Sequence, residues 1–498
     1  MTTGLAHTSS IAPTTTEELE HILAAADRAA HPLSAMRPRD RAVLLDAVAD
    51  ELDAASSRLL PLAHKETHLA EDRLSGELKR TSFQLRLFGE LLRDGAYIDA
   101  RIDHADADWP MGAPRPDLRR MLKPIGPVLV FAASNFPFAF SVGGGDTASA
   151  LAAGCPVILK AHSGHPQLSA LTAEVVTTAL GRLGAPEGTF AVVFGTKAGS
   201  EALKDSRIKA GAFTGSIPGG RALFDIAASR PDPVPFYGEL GSNNPVFVTE
   251  TASSARGAQI ASEFAASFTM GAGQFCTKPG TLLVPKGSPA VDALRSIELP
   301  APAELLNDRI QNGYVQALKD LSAHPRVEVL AQGEGPLAEP PCPTLLLTSA
   351  TDVLADPDSL QSECFGPTAL VVEYVDETQL LAVAESFEGQ LTATIQAEDG
   401  DDVTALQEIL TRKAGRVLWN QWPTGVSVTY AQQHGGPYPA TTNSSTTSVG
   451  TAAIERFLRP VAYQGFPDAK LPEALQEGNP LGLARLVDGK RVETYTAS

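Results

Sequence analysis

Around Gly126-Pro-Val-Leu-Val-Phe-Ala-Ala133 the chain commits itself to one kind of sheet. Six apolar residues follow a proline without alternation, the pattern of a strand buried on both faces. The rhythm around it repeats. Helices are expected over residues 146–153, 167–183, 200–204 and 219–229, and strands over 156–160, 190–194, 208–213 and 234–238. Strands alternating with helices pack as a parallel α/β sheet, an architecture that by frequency binds nucleotides.

Upstream, residues 17–100 read as helices. Thr16 is the expected N-cap of the first, with Glu17 and Glu18 in its first turn, and single helices are expected over 41–60 and 74–92. This lead-in carries no visible chemistry. Pro, Gly and Asp break the pattern over 103–116, and a short strand follows at 118–122. After Asn244 a second α/β unit begins, with a strand at 245–248, a helix at 260–270 and a strand at 280–284, and its alternation runs to Asn420. Residues 435–450 read as loop, 452–458 as helix and the remainder as extended chain.

The 498 residues exceed one ordinary core, so at least two domains are expected. A net charge of −18 argues against nucleic acid or an anionic membrane as partner. No apolar run reaches the length of a membrane span. The first sixteen residues lack the basic start and apolar core of a secretion signal. Cys155, Cys276, Cys342 and Cys364 form no CxxC pair, which fits a reducing cytoplasm rather than a disulfide framework.

Cys276 stands in Gly271-Ala-Gly-Gln-Phe-Cys-Thr-Lys-Pro-Gly280, where small residues let a second molecule approach the sulfur. Alone, that pattern fits an inert cysteine as well as a nucleophile. Gly143-Gly-Gly-Asp-Thr-Ala148 matches G-x-G-x-x-A, but Asn135-Phe-Pro137 separates it from the strand, so helix-on-sheet packing is the better reading. Phe213-Thr-Gly-Ser216 offers a strand-to-helix turn whose N–H groups can hold a pyrophosphate, or an ordinary Ser cap. Lys160 ends a strand where open sheets place ligands. His162 and His165 lack a third metal ligand and read as loop residues, so no metal is expected. Glu239, Glu363 and Asn135 each stand at a turn or strand end.

Seven ordered stretches together resemble the aldehyde dehydrogenase superfamily over nearly the whole chain. They are Ala133-Ser-Asn-Phe-Pro137, Val157-Ile-Leu-Lys160, Phe213-Thr-Gly-Ser216, Glu239-Leu-Gly-Ser-Asn-Asn-Pro245, Gly273-Gln-Phe-Cys276, Glu363-Cys-Phe-Gly-Pro367 and Gly415-Arg-Val-Leu-Trp-Asn420. Residues 141–154, His434-Gly-Gly-Pro-Tyr-Pro-Ala440 and Arg456-Phe-Leu-Arg-Pro460 look closest to the branch of α-ketoglutarate semialdehyde (2,5-dioxopentanoate) and NADP-dependent fatty aldehyde dehydrogenases.

The resemblance implies two parallel α/β domains and a small oligomerisation flap. Residues 1–114 and 125–242 would bind the dinucleotide, 243–436 would carry the cysteine, and 115–124 with 437–498 would form the flap and arm of a homodimer or homotetramer. It implies Cys276 as nucleophile, Asn135 with the Cys276 N–H as oxyanion hole and Glu239 as general base. Lys160 would hold the adenosine ribose, Gly215 and Ser216 the pyrophosphate, Glu363 the nicotinamide ribose, and Phe365 the nicotinamide end. Ser163 replaces a Glu common in the family, and with Lys197 would accept a 2′-phosphate, so NADP is the expected cofactor, with NAD possible. Phe136, Phe140, Gln274, Phe275 and Thr277 are expected to line the aldehyde pocket, and Gln421 and Thr424 to meet a polar tail. No cation for a substrate carboxylate is assigned. The expected reaction is oxidation of 2,5-dioxopentanoate to 2-oxoglutarate. The alternatives are medium- or long-chain aliphatic aldehydes, cofactor-independent hydrolysis of thioesters or esters, and a scaffold without activity.

Overall fold

A computed structural model describes residues 11–337 and 340–493. The expectation about a secretion signal therefore falls largely outside the described residues. Four helices open the chain: α1 (Thr16–Ala35), α2 (Pro38–Ala54), α3 (Ser56–Thr67) and α4 (Glu71–Asp94). The cap of α1 is Thr15, not Thr16; its Oγ1 accepts from the Glu18 N–H at 3.2 Å while Glu18 accepts from the Thr15 N–H at 2.7 Å, a closed capping box. The helix expected over 41–60 divides at Ala55, which caps both α2 and α3.

Strands β1 (Arg101–Asp103) and β2 (Leu118–Pro124) lead into the first parallel sheet. That sheet contains β3 (Val128–Phe131), β4 (Val157–Lys160), β5 (Phe190–Val193), β6 (Ala210–Thr214) and β7 (Phe236–Glu239), in the order β5-β4-β3-β6-β7, every pair parallel. Helices α5 (Gly145–Ala153), α6 (Pro166–Arg182), α7 (Thr196–Lys204) and α8 (Ile217–Ser229) connect them. All four β3 residues are buried, as their uninterrupted apolar run requires. Helix α5 is buried throughout, and the Gly143–Ala148 stretch is packed rather than open: a Cβ on Gly144 would lie 2.4 Å from the Ala139 carbonyl oxygen. Helix α4 packs on α2 and α5, which brings its inner face beside the 135–145 segment.

The second sheet joins β8 (Val246–Val248), β9 (Thr281–Pro285), β10 (Glu328–Gln332), β11 (Thr344–Ser349), β12 (Thr368–Tyr374), β13 (Gln390–Gln396) and β14 (Ala414–Trp419). Its order is β10-β11-β12-β9-β8-β13-β14, parallel except at β10, which runs antiparallel to β11. Helix α9 (Glu250–Thr269) begins ten residues before the expected start and leads to the Cys276 turn. The tail is not simply extended chain. Strands β15 (Leu458–Gln464), β16 (Arg485–Val487) and β17 (Lys490–Val492) complete a third sheet in the order β15-β2-β1-β16-β17. Among the described residues no helix is long and apolar enough to cross a membrane.

Candidate active site

After α9 the backbone turns sharply. Gly271, Ala272 and Gly273 have φ of 57°, 55° and 68°, a left-handed run that a glycine tolerates and Ala272 adopts at a cost. A Cβ on Gly273 would lie 2.1 Å from the Gly366 carbonyl oxygen, so only glycine fits there. The turn delivers Cys276, which is partly exposed while the three other cysteines are buried. Asn244, itself at φ 52°, fixes the backbone on either side: its Nδ2 donates to the Cys276 carbonyl at 2.8 Å and the Lys278 carbonyl at 2.9 Å. Gln390 Oε1 in turn accepts from the N–H groups of Asn243 and Asn244 at 2.8 and 3.0 Å.

Three side chains converge on this turn. Asn135, in the segment after β3, donates through Nδ2 to the Gln274 carbonyl at 3.1 Å. His434 lies between the thiol and Glu239, with Nε2 3.5 Å from Cys276 Sγ and 3.9 Å from Glu239 Oε2. Glu239 ends β7, is 7% exposed, and leaves Oε2 without a hydrogen-bond partner among the described residues. A buried carboxyl oxygen without a partner is costly unless something in the site pairs with it.

Burial dominates the charges here. It pushes the Cys276 thiol up to about 12, with Glu239 and Glu363 adding to the rise and Arg80 and Arg416 opposing it. The resting sulfur is therefore a thiol. Burial also holds the Glu239 carboxyl well above the usual carboxylate range, against the pull of Arg456. His434 is held down to about 3 by burial and by the charges of Arg416 and Arg80, so it stays neutral and its approach to Glu239 is no ion pair. Glu363 is raised to about 7, mainly by burial, while Lys278 and a hydrogen bond from the Ser242 backbone pull it back. Lys278 is buried beneath, donating to the carbonyls of Cys364, Gly366 and Thr368 at 2.6, 3.1 and 2.7 Å.

A family model described as "Aldehyde dehydrogenase family" matches residues 6–295 and 341–460. The chain belongs to the aldehyde dehydrogenase family. It is 44% identical over 483 residues to the α-ketoglutaric semialdehyde dehydrogenase of Acinetobacter baylyi, covering 95% of this chain and 91% of that one. It is 46% identical over 474 residues to α-ketoglutaric semialdehyde dehydrogenase 2 of Azospirillum brasilense, covering 93% and 88%. A solved NADP-dependent enzyme of E. coli superposes with a TM-score of 0.74 at 25% identity, covering 90% of each chain. The 1-pyrroline-5-carboxylate dehydrogenase of Thermus with bound NAD gives 0.74 at 20% identity, covering 91% of this chain and 86% of that one, and shares the fold.

In this aldehyde dehydrogenase the residues expected to meet a dinucleotide line one edge of the first sheet. Lys160 ends β4, with exposed Ser163 in the turn beyond it, and exposed Lys197 opens α7 after β5. Gly215 and Ser216 follow β6, and Ser216 caps α8, accepting from the Gly219 N–H at 3.4 Å. Glu363 reaches the same edge: a Cβ on Gly241 would lie 2.4 Å from its Oε2, so that glycine makes the carboxylate's cradle. A helix N-terminus, a strand-end ammonium and a cradled carboxylate are a donor set that fits a dinucleotide. Phe365 lies two residues beyond Glu363, partly exposed.

The aromatic expectations cluster. Phe136 contacts Phe140 and Phe275 edge-on, with centroids 5.4 and 5.3 Å away. Gln274 is corrected. It is 1% exposed, its Oε1 accepts from the Leu306 N–H at 2.9 Å and its Nε2 donates to the Gly271 carbonyl at 3.2 Å, so the amide holds the turn rather than facing a substrate. Thr277 is equally buried. Thr424 bonds Ser267, its Oγ1 2.7 Å from the Ser267 hydroxyl, and so is committed to the protein. His165 is likewise engaged, by the Ala133 carbonyl at 2.9 Å and the Ser169 hydroxyl at 3.1 Å.

Sequence reasoning missed the charges on α4. Arg73 donates to the Asn135 carbonyl at 2.7 Å, and its guanidinium lies 5.2 and 4.9 Å from the ring centroids of Phe136 and Phe275. Glu77 Oε1 accepts from the Phe138 and Ala139 N–H groups at 2.8 and 3.0 Å, fixing the segment that carries Asn135. The available signal was Glu77 itself, a carboxylate inside the apolar stripe of Leu74, Leu78 and Leu85.

Proposed function

We propose that this chain oxidises 2,5-dioxopentanoate to 2-oxoglutarate through a thioester on Cys276, using a nicotinamide dinucleotide. The observation that carries the chemistry is the convergence of Cys276, Asn135 and Glu239 around one turn, with His434 3.5 Å from the sulfur. The substrate is supported by the names of the two relatives at 44% and 46% identity.

The steps follow from what each residue can do. The thiol loses its proton to Glu239, whose raised pKa makes it an effective acceptor. The sulfur adds to the aldehyde carbon, and the carbonyl oxygen becomes an oxyanion. Asn135 Nδ2 and the Cys276 N–H donate to that oxygen; one such donor in a dry site is worth about 3–4 kcal/mol. Lys160, Ser216 and Glu363 would hold the dinucleotide, which supplies the hydride acceptor when bound. With hydride gone the adduct is a thioester. Glu239 gives the thiol's proton up to solvent and then takes one from water; the water oxygen bonds to the acyl carbon, the C–S bond breaks, and that proton returns to the departing sulfur, releasing the acid and the thiol.

NADP is the preferred cofactor in this reading. Ser163 supplies a donor where a carboxylate would repel a 2′-phosphate, and Lys197 supplies a charge at the same sheet edge. The molecule assembles as a homodimer or homotetramer through the third sheet, whose outer strand β15 exposes part of one face; light scattering checks this, and a monomer would refute it. A panel of aldehydes assayed with both dinucleotides tests the rest. The highest kcat/KM is expected for 2,5-dioxopentanoate with NADP. A higher value for a long-chain aldehyde would overturn the substrate, a strong NAD preference would overturn the cofactor, and acid formation without any dinucleotide would overturn the redox reading.

A further inference from the structure

Two guanidinium groups near Cys276 have no evident duty in that chemistry. Arg80 stands on α4 and Arg416 on β14, and both reach the same connection beyond β14. Arg80 Nη2 donates to the Val426 carbonyl at 3.4 Å, while Arg416 donates to the Pro423 carbonyl at 2.9 Å and the Gly425 carbonyl at 3.3 Å. Arg80 lies over the Phe140 ring, 5.4 Å from its centroid, and that ring is 6.3 Å from the His434 ring. His434 in turn is 3.5 Å from the sulfur. Arg80 thus stands one ring away from His434, and Arg416 reaches the same 423–426 connection that Arg80 holds.

The local charge does not balance. Neither Arg80 nor Arg416 forms an ion pair within 4.0 Å among the described residues. Arg416 Nε is buried with no hydrogen-bond partner there. The carboxyl group that acts on Arg80 is that of Glu77. Glu77 spends one oxygen on two backbone N–H groups, and burial disfavours its charged form. Arg80 therefore faces a carboxyl group that resists ionisation, and among the described residues Arg416 faces none that opposes its charge. A half-buried guanidinium without a counter-ion is costly, and an anion entering the pocket offsets that cost. Carbonyl contacts alone do not require a charge; a neutral amide would hold the 423–426 connection as well.

We propose that Arg80 and Arg416 form a clamp for the carboxylate of a short ω-oxo acid, so that the pocket selects aldehydes with an anionic far end. The inference rests on the reading of Cys276 as the aldehyde nucleophile. It gives the site the cation that a dicarboxylate semialdehyde needs. In an extended five-carbon chain the four C–C bonds span roughly 5 Å, so the carboxylate would sit about that far from the carbon that meets the sulfur. The planar fork of arginine matches a carboxylate oxygen paired with the neighbouring 2-oxo oxygen. Arg73 stands apart from the 423–426 connection: it donates to the Asn135 carbonyl and lies against the Phe136 and Phe275 rings.

The test compares two aldehydes of equal length, 2,5-dioxopentanoate and pentanal, in the full-length enzyme with saturating dinucleotide. Wild type is expected to prefer the anion. In Arg80→Met and in Arg416→Met the ratio of kcat/KM, anion over neutral, is expected to fall roughly 10- to 100-fold, chiefly through KM. Arg80→Lys and Arg416→Lys should restore part of it. Equal losses for both aldehydes would assign the arginines to loop support alone and overturn the clamp. A measurement on wild type covers variants that fail to fold: 2-oxoglutarate should inhibit pentanal oxidation competitively, and absence of inhibition overturns the clamp. Turnover of pentanal retained in Cys276→Ala would instead refute the reading of the nucleophile, and wild type that oxidises pentanal without preferring the anion refutes the clamp only.

Discussion

Cys276 hangs on a turn of three consecutive left-handed residues, whereas Arg73, Glu77 and Arg80 stand on an unbroken helix of 24 residues. The two walls meet in one pocket but are built differently. On the cysteine side the backbone itself is shaped, and every departure from regular structure demands a particular residue. Gly273 cannot carry a side chain, and Asn244 must accept a positive φ while its amide bonds two carbonyls. On the α4 side the backbone is ordinary and only the choice of side chain along one helical face matters. The first kind of wall leaves a local signature in sequence. The second leaves a pattern that acquires meaning only when the opposite surface is known.

The sharpest way to break this contrast is to remove the sulfur. Cys276→Ala is expected to lower acid formation by roughly 10⁴-fold or more, as nucleophile deletions do. A loss below tenfold, measured as reduced dinucleotide formed per enzyme, would mean that the shaped wall does not carry the reaction.

Alkylation of the free enzyme probes the charge balance between the walls. With Cys276 pushed up to about 12, its thiolate fraction rises about tenfold per pH unit below that value. Iodoacetamide should therefore inactivate roughly 10³-fold faster at pH 10 than at pH 7, and a rate already at its plateau by pH 7 would refute the raised thiol. Burial and the Glu239 and Glu363 charges push the value up, and Arg80 and Arg416 push it down. Replacing either arginine by Met should accordingly slow alkylation at every pH below the plateau.

Much of the fold was legible because β3 to β7 are short buried runs separated by helices, and burial on both faces writes itself as uninterrupted apolar sequence. Boundaries were harder. Thr15 and Thr16 have identical side chains, so composition could not choose between them. The break at Ala55 carries no Gly or Pro, while Pro32 and Pro61 lie inside α1 and α3. In the site, the ordered motifs single out Asn135, Glu239 and Cys276, and the fold brings Asn135 and Glu239 to the turn that carries the cysteine. Gln274 was misplaced because adjacency to a nucleophile says nothing about side-chain direction, and here the amide turns inward to Leu306 and Gly271. Arg80 and Arg416 were invisible as a pair because they reach the same 423–426 connection only in the folded chain.

Glu77 tests whether α4 is functional or merely packed. Glu77→Ala removes the acceptor of two buried N–H groups and is expected to cost about 2–3 kcal/mol of stability, read by thermal melting. Because those groups belong to Phe138 and Ala139, the Asn135 amide should lose its position too, and kcat should fall about tenfold or more with KM less affected. Glu77→Gln retains a carbonyl oxygen for the same contacts and should recover most of both. A variant that melts earlier yet keeps kcat would return α4 to the role of packing alone.

The smallest effect is expected at the far end of the same helical lead-in, where it separates α1 from α4. Thr15→Ala opens the capping box with Glu18 and should cost about 1 kcal/mol of stability. Helix α1 packs on β4, β5 and α7, at the back of the first sheet rather than beside the 135–145 segment. The lost cap therefore frays the helix end without moving Asn135, Glu77 or the Cys276 turn. A small fall in melting temperature with kcat and KM intact would confine the lead-in's contribution to the face of α4 that bears Arg73, Glu77 and Arg80. A parallel fall in kcat would mean that the whole helical layer, not one face of one helix, holds the oxyanion segment in place.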